Sequence, residues 1–327
     1  MTTKKIVEGI LNSDRSILSK AITIIESERK DHQKKAKEII KNCLPYSGNS
    51  FRIAITGIPG VGKSTFIESF GQHLISKGGK IAVLTIDPSS LESKGSILGD
   101  KTRMEKLASK KEAFIRPSAS KGSLGGVAQK TKESIILCEA AGYNHILIET
   151  VGVGQSETSV TSMVDFFILL MLSNTGDELQ GIKKGIMEVA DLIVVNKADG
   201  KNIKNTKIAV AELKNAIHLQ AERKSNFPLN ALSCSSINNE GMKEILITIK
   251  EYEKCTIKNG YFHTKRKKQN EAWLKNILLN ELTNNLNEKN NISNELKKLA
   301  NEVSTRKIDP YTAVEKLMIS FKYLKKR

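Results

Sequence analysis

The sequence predicts an α/β fold: a mostly parallel sheet of about seven strands, wound with helices and extended by helical segments at both ends. Three observations predict it. Short β-rich runs alternate with helical stretches between about residues 46 and 255, the pattern that builds a parallel sheet. The first of these runs ends in a glycine-rich turn that opens a helix. Later runs end in turns bearing carboxylates or asparagine, and ligands of open α/β sheets bind at the carboxyl ends of the strands.

Taken in chain order, residues 1–45 are polar, with apolar positions at Ile17, Ala21, Ile24 and Ile25. That spacing predicts a helical extension. Pro45-Tyr46-Ser47-Gly48-Asn49 marks a boundary. Residues 46–255 carry the sheet, with strands expected near 51–56, 80–86, 113–116, 145–150, 166–172, 191–196 and 228–232. Gly95-Ser96-Ile97-Leu98-Gly99 and Gly122-Ser123-Leu124-Gly125-Gly126 punctuate loops suited to a switch or a hinge. The last segment, 256–327, is helical in pattern and basic, with 16 Lys and Arg against 7 Asp and Glu. In it Leu274, Leu278, Leu282 and Leu286 recur every four residues, flanked by Trp273 and Ile277. Such a stripe needs a cover, from its own chain or a partner. Asp309-Pro310 reads as a helix start, with Asp as cap and Pro in the first turn.

The glycine-rich turn is the most specific motif. Gly57-Ile58-Pro59-Gly60-Val61-Gly62-Lys63-Ser64-Thr65 fits the phosphate-loop pattern G-x-x-x-x-G-K-[ST]. It follows the apolar run Phe51-Arg52-Ile53-Ala54-Ile55-Thr56 and precedes the helical run Phe66-Ile67-Glu68-Ser69-Phe70. The glycines let backbone N–H groups converge on phosphate oxygens without a Cβ in the way. The following helix adds its positive end. Lys63 brings a point charge for the β- and γ-phosphates, and the Ser64 hydroxyl can ligate Mg²⁺. These features predict a P-loop NTPase.

A second motif concerns the base. Leu192-Ile193-Val194-Val195 runs into Asn196-Lys197-Ala198-Asp199. A carboxylate at Asp199 can accept from both N1–H and the exocyclic amine of guanine. Adenine presents an acceptor at N1 and leaves a polar partner unsatisfied. Asn196 is expected to fix the loop and approach the purine edge, with the Lys197 stem over the ring. Standing alone, such a turn is also an ordinary Asx-rich strand exit.

Two acids stand at other strand ends. Ile81–Ile86 runs into Asp87-Pro88-Ser89-Ser90, and His145-Ile146-Leu147-Ile148 runs into Glu149-Thr150-Val151-Gly152. Both carboxylates are expected to face the nucleotide and to hold Mg²⁺ directly or through water. The Gly152 N–H can meet a γ-phosphate. Either acid alone would also serve as a helix cap.

The ordered words GIPGVGKST, IDPSS, GDKTRM, RPSASKGSLGGVA, ETVGVGQSE, DELQGIKKGI and NKADG resemble the MeaB/ArgK/MMAA family of cobalamin-associated GTPases over about residues 50–255. The resemblance implies a Mg²⁺-dependent GTP phosphohydrolase that chaperones an adenosylcobalamin-dependent acyl-CoA mutase, usually methylmalonyl-CoA mutase. It implies that Lys63 cradles phosphate, that Ser64, Asp87 and Glu149 surround the metal, and that Asp199 reads guanine. Asp100 falls in the first switch, as a candidate metal- or water-positioning acid. Gln155-Ser156-Glu157 falls in the second switch. Gln180-Gly181-Ile182-Lys183-Lys184 resembles an extra switch that faces the mutase. Ser235-Ser236-Ile237 aligns with the family's last nucleotide loop, with Ser236 where a small apolar residue is usual. The family uses the C-terminal region as a dimerisation arm, so a homodimer is expected.

Composition bounds the remaining classes. The chain has 327 residues and a formal net charge of +17, enough chain for one sizeable core plus extensions. No apolar run reaches the ~18 residues of a membrane span. Met1-Thr2-Thr3-Lys4-Lys5 leads into no apolar signal region. The four cysteines, Cys43, Cys138, Cys234 and Cys255, lie far apart and read as reduced thiols of a cytoplasmic protein. The excess charge raises a rival, a nucleic-acid- or ribosome-associated GTPase, with Lys265-Arg266-Lys267-Lys268 on phosphate. A solvated helical face explains that run more simply, and no aromatic-interleaved basic surface accompanies it. A second rival is a protein kinase of transport-binding proteins, for which no acceptor-positioning motif is present.

Overall fold

A computed structural model of the chain describes residues 1–86, 104–117, 124–150, 157–173, 184–217, 223–288 and 290–324. Of 124–126, 157–158, 184, 284–288, 290–293 and 320–324 it describes the backbone alone.

Helices α1 (Thr3–Leu11), α2 (Arg15–Glu26) and α3 (Lys30–Cys43) open the chain. The Asp14 carboxylate accepts from the backbone N–H groups of Ser16 and Ile17 and starts α2, as an N-cap should. The buried stripe of α2 is Leu18, Ala21, Ile22 and Ile25. Ile17 and Ile24, expected on that stripe, flank it half-buried. Ile17 instead crosses close over Gly9 of α1, where a Cβ would come within 2.2 Å of its Cδ1.

The sheet follows. β1 (Phe51–Gly57) leads to α4 (Lys63–Ser76), and β2 (Ile81–Ile86) precedes α5 (Glu105–Ala108). β3 (Ala113–Pro117), α6 (Leu124–Ala140), β4 (His145–Thr150) and α7 (Glu157–Thr161) come next. β5 (Phe166–Met171), α8 (Lys184–Val189), β6 (Leu192–Val195), α9 (Ile203–Ile217) and β7 (Asn230–Ser233) complete it. The seven strands run in the order β3-β2-β4-β1-β5-β6-β7, every pairing parallel. The strands are buried along nearly their whole length, which fits a parallel sheet covered on both faces. α4 and α10 (Met242–Lys258) pack together on one face. Phe66, Phe70, Phe166 and Tyr252 fill the core there. The Tyr252 ring meets Phe166 edge-on at 4.8 Å.

The amino end of the sheet is tied by buried charges. Arg52 on β1 bonds Glu139 on α6 through Nε at 2.9 Å and through an NH group at 3.1 Å. Asp165, just before β5, accepts from the Arg52 backbone N–H and from the Arg266 guanidinium. Arg266 lies on α11 (Tyr261–Glu288), where it also stacks over Phe262 at 4.5 Å. The basic run 265–268 is therefore not uniformly solvated. Lys265 and Arg266 turn inward to Asp165, and Lys267 and Lys268 are exposed.

The chain forms two compact units, Met1–Gln269 and Asn270–Arg327. The N-terminal helices belong to the first. The boundary expected at 255/256 falls inside α10, because Thr256 is buried and its hydroxyl bonds the Tyr252 carbonyl of the same helix. The second unit holds the rest of α11, with α12 (Asn290–Ser304) and α13 (Pro310–Leu324). Asp309 caps α13, accepting from the N–H groups of Tyr311 and Thr312. Leu274, Leu278 and Leu282 are exposed at 67%, 56% and 44%, while Trp273 and Ile277 are half-buried. The Leu286 side chain lies outside the described residues.

Candidate nucleotide-binding site

The described site residues gather at the carboxyl ends of β1, β4, β6 and β7. β1 sits where the chain reverses its winding, between β4 and β5, the place where open α/β sheets hold ligands. Residues 57–62 pass from β1 into the N-terminus of α4. Gly62 has φ +93°, and a Cβ there would lie 2.8 Å from the Asn196 Nδ2. Both the backbone angle and the close approach need glycine. The Lys63 ammonium donates to the carbonyls of Gly57 at 2.8 Å and Ile58 at 3.2 Å, so it lies across the loop. Burial pulls its pKa below the ordinary lysine value, and the Glu149 carboxylate opposes that shift.

Glu149 and Thr150 end β4. The Thr150 hydroxyl donates to Thr56 Oγ1 at 2.7 Å and binds the ends of β4 and β1 together. That brings Ser64 Oγ and Glu149 Oε1 to 3.4 Å. The pair is all-oxygen, the donor type that suits Mg²⁺. Asp87, Asp100, Gly152, Gln155, Ser156 and Gln180–Lys183 lie outside the described residues, as do the side chains of Glu157 and Lys184.

The far end of the site is built around Asn196. Its Nδ2 donates to the Val61 carbonyl at 2.8 Å. Its Oδ1 accepts from Ser236 N at 3.2 Å, Ser236 Oγ at 2.8 Å and the Cys234 thiol at 3.3 Å. Its amide thereby joins the phosphate loop to the loop after β7. Ser236, where a small apolar residue was expected, serves that joint through its hydroxyl. Burial pushes the Cys234 thiol up to about 12, so it acts as a neutral donor.

Asp199 is half-buried. Ser235 Oγ donates to its Oδ2 at 2.7 Å and accepts from Asn238 N at 3.2 Å. The hydroxyl proton is thereby committed to the carboxylate. Lys197 is exposed with φ +61°, and Ile237 is 72% exposed. Both are accessible to a planar ring. Asp199 and the loop 235–237 thus come together, as do Lys63, Ser64 and Glu149.

Sequence reasoning missed three supports. Glu68 on α4 accepts from the Lys106 and Leu107 N–H groups and fixes the start of α5. Ser69 on α4 donates to Asn239 at 2.7 Å. Gly241, φ +81°, leaves room for Ser233 O, which a Cβ would meet at 2.5 Å. A polar residue between Phe66 and Phe70 on a core-facing helix was the available signal for Ser69.

This geometry suits a purine nucleotide, with phosphates at one end and a carboxylate-read base at the other. Residues 18–291 match the model of the methylmalonyl Co-A mutase-associated GTPase MeaB. The chain belongs to the MeaB family.

Relatives of this MeaB-family chain agree. A Mycobacterium tuberculosis protein named as a probable GTPase is 42% identical over 317 residues, covering 97% of this chain and 94% of its own length. The GTPase ArgK of Escherichia coli is 41% identical over 316 residues, covering 97% and 96%. A crystal structure of a LAO/AO transport system kinase superposes with a TM-score of 0.76 at 35% identity, covering 98% of this chain and 97% of that one. The MeaB-family chain is accordingly a GTPase on the P-loop fold.

Proposed function

We propose that this GTPase is a Mg²⁺-dependent chaperone that gates adenosylcobalamin delivery to an acyl-CoA mutase of the methylmalonyl-CoA type and protects that mutase. The observation that carries the reading is the match over residues 18–291 to a family described as mutase-associated.

In this reading the GTP phosphates lie in the loop 57–65, with the Lys63 charge on the β- and γ-phosphates. Ser64, Glu149 and Asp87 hold Mg²⁺, whose charge offsets that of the phosphates. Asp199 accepts from guanine N1–H and its amine, with Ser235 holding the carboxylate. Asn196 keeps the two ends of the site at a fixed separation. Lys197 and Ile237 cover the ring. Asp100 positions metal or water, and Gly152 senses the γ-phosphate. No arginine among the described residues of the loop, β4 end or base loops supplies a transition-state charge. Slow intrinsic turnover and stimulation by a partner are the expected consequence.

The exposed leucines of α11 support a homodimer through the C-terminal arm. No helix among the described residues is long and apolar enough to cross a membrane, in keeping with a cytoplasmic protein.

The test is single-turnover hydrolysis of γ-labelled GTP with and without the mutase from the same cell. Label should appear as inorganic phosphate, faster with mutase present. Equal rates would remove the partner-gated mechanism. Label on protein would favour the kinase activity named for the LAO/AO relative.

A further inference from the structure

We propose that Ser69 and Asn239 are positioning residues for base selection, and that through them the phosphate-binding helix α4 sets the geometry of the guanine-reading carboxylate. The inference rests on the assignment of Asp199 as the base reader.

The loop after β7 turns back on itself at residues 235–240. Ser235 and Glu240 exchange two backbone hydrogen bonds of 3.1 Å, which close its neck. Inside the neck, Asn238 N–H points at Ser235 Oγ, and Ser235 Oγ–H points at Asp199. The direction of the Ser235 hydroxyl is thus set by where Asn238 stands. Asn238 is exposed, and so is the turn beyond it. Its neighbour Asn239 has φ +59°, a left-handed angle that asparagine tolerates better than most residues. The Asn239 side-chain oxygen accepts from Ser69 Oγ at 2.7 Å, and Ser69 is 4% exposed. A buried hydroxyl on a rigid helix therefore holds the tip of an exposed turn.

Ser69 stands six residues after Lys63, about 9 Å along the helix at 1.5 Å per residue. One helix thus presents its N-terminus to the phosphates and braces the base loop from its second turn. The path runs Ser69, Asn239, Asn238, Ser235, Asp199. A carboxylate held at the right angle can satisfy both N1–H and the amine of guanine. Turned away, it satisfies one. The device therefore bears on discrimination between guanine and hypoxanthine, which lacks the amine. Serine in a helix can bond the carbonyl four residues back, and alanine is the better helix former, so Ser69→Ala keeps the fold.

The experiment titrates the full chain with GDP, IDP and ADP by calorimetry, for wild type, Ser69→Ala, Asn239→Gly, Asn239→Asp and the Ser69→Ala/Asn239→Gly double variant. Glycine preserves the left-handed angle and removes the acceptor. Aspartate preserves both. Ser69→Ala and Asn239→Gly should each weaken GDP about threefold to tenfold, the worth of one hydrogen bond, and IDP less, so that the GDP-to-IDP ratio narrows. The double variant should match the single ones, and Asn239→Asp should keep the wild-type ratio. A role confined to stability would lower the melting temperature and leave the ratio alone. An unchanged ratio in both single variants, or additive losses in the double, overturns the inference. If wild type binds ADP as tightly as GDP, the Asp199 assignment falls, and this inference with it.

Discussion

Ser235 Oγ stands 2.7 Å from Asp199 Oδ2 and donates its proton there while it accepts from Asn238 N–H at 3.2 Å. One carboxylate oxygen is thereby oriented by the protein, and the other side of the group is left for a ligand. Asp199→Asn should weaken GTP binding by about 2 kcal/mol, the range for losing a charged hydrogen bond. Affinity should move toward xanthosine triphosphate, whose carbonyl meets the new amide. Ser235→Ala should cost about 1 kcal/mol without that change of base. Competition titrations with GTP, XTP and ATP check both. Equal wild-type affinity for ATP and GTP would sink the assignment.

Asn196 makes a different kind of prediction, because its partners are protein atoms. Asn196→Ala leaves the Val61 carbonyl and the Ser236 N–H and hydroxyl without their bonds. Unsatisfied buried groups cost roughly 1–3 kcal/mol each, and partial relaxation should hold the loss of folding stability to about 3 kcal/mol. Nucleotide affinity should fall together with stability. Urea unfolding and GDP titration of one preparation test the link. Lower affinity at unchanged stability would mean that Asn196 also meets the ligand directly.

The sheet and the phosphate loop were readable in the sequence because their signals are local. The strand expected at 80–86 is Ile81–Ile86, and that expected at 113–116 is Ala113–Pro117. Each is a short apolar run between turn residues. The supports of the site were not readable, because they join distant positions with no shared pattern. Ser69 and Asn239 are 170 residues apart, and Arg266 and Asp165 are 101 apart. Asn196 shows the same limit within a recognised motif. The sequence places it at the strand exit, but only the fold reveals that its amide faces the phosphate loop. The run 265–268 looks uniform as a string, yet Arg266 is held by a carboxylate before β5. No periodicity on α11 encodes that partner.

Leu278 tests the arm. It is 56% exposed, between Leu274 and Leu282 on the same face of α11. Leu278→Asp should prevent burial of that face, since an unpaired buried carboxylate is costly. Light scattering should give a dimer for wild type and a monomer for the variant, with GDP affinity within about twofold of wild type, because Leu278 belongs to a different compact unit from Lys63 and Asp199. A monomeric wild type, or a variant that stays dimeric, would remove the dimerisation role.

Lys132 on α6 makes stability depend on pH. The residue is 7% exposed, and its ammonium donates to the Gln269 carbonyl at 2.8 Å. Burial, and then the Arg52 charge, pull its pKa from 10.5 down to about 8. Glu139 does not relieve this, because its two oxygens are engaged by Arg52, Ser50 and the Gly48 N–H. Below pH 8 the lysine is charged in both the folded and the unfolded chain, and the cost of burying the charge is carried in full. Between about 8 and 10.5 the folded chain has released the proton and the unfolded chain has not. The unfolded state then binds more protons, so stability rises with pH across that window. Lys132→Met removes this dependence and leaves every other titration in place. The stability of wild type relative to the variant should therefore improve by about 2 kcal/mol between pH 7.5 and 9.5, at 1.36 kcal/mol per pKa unit. Urea unfolding of both proteins at the two pH values measures it. Parallel pH profiles would mean that Lys132 keeps an ordinary pKa and that the amino end of the sheet is open to water.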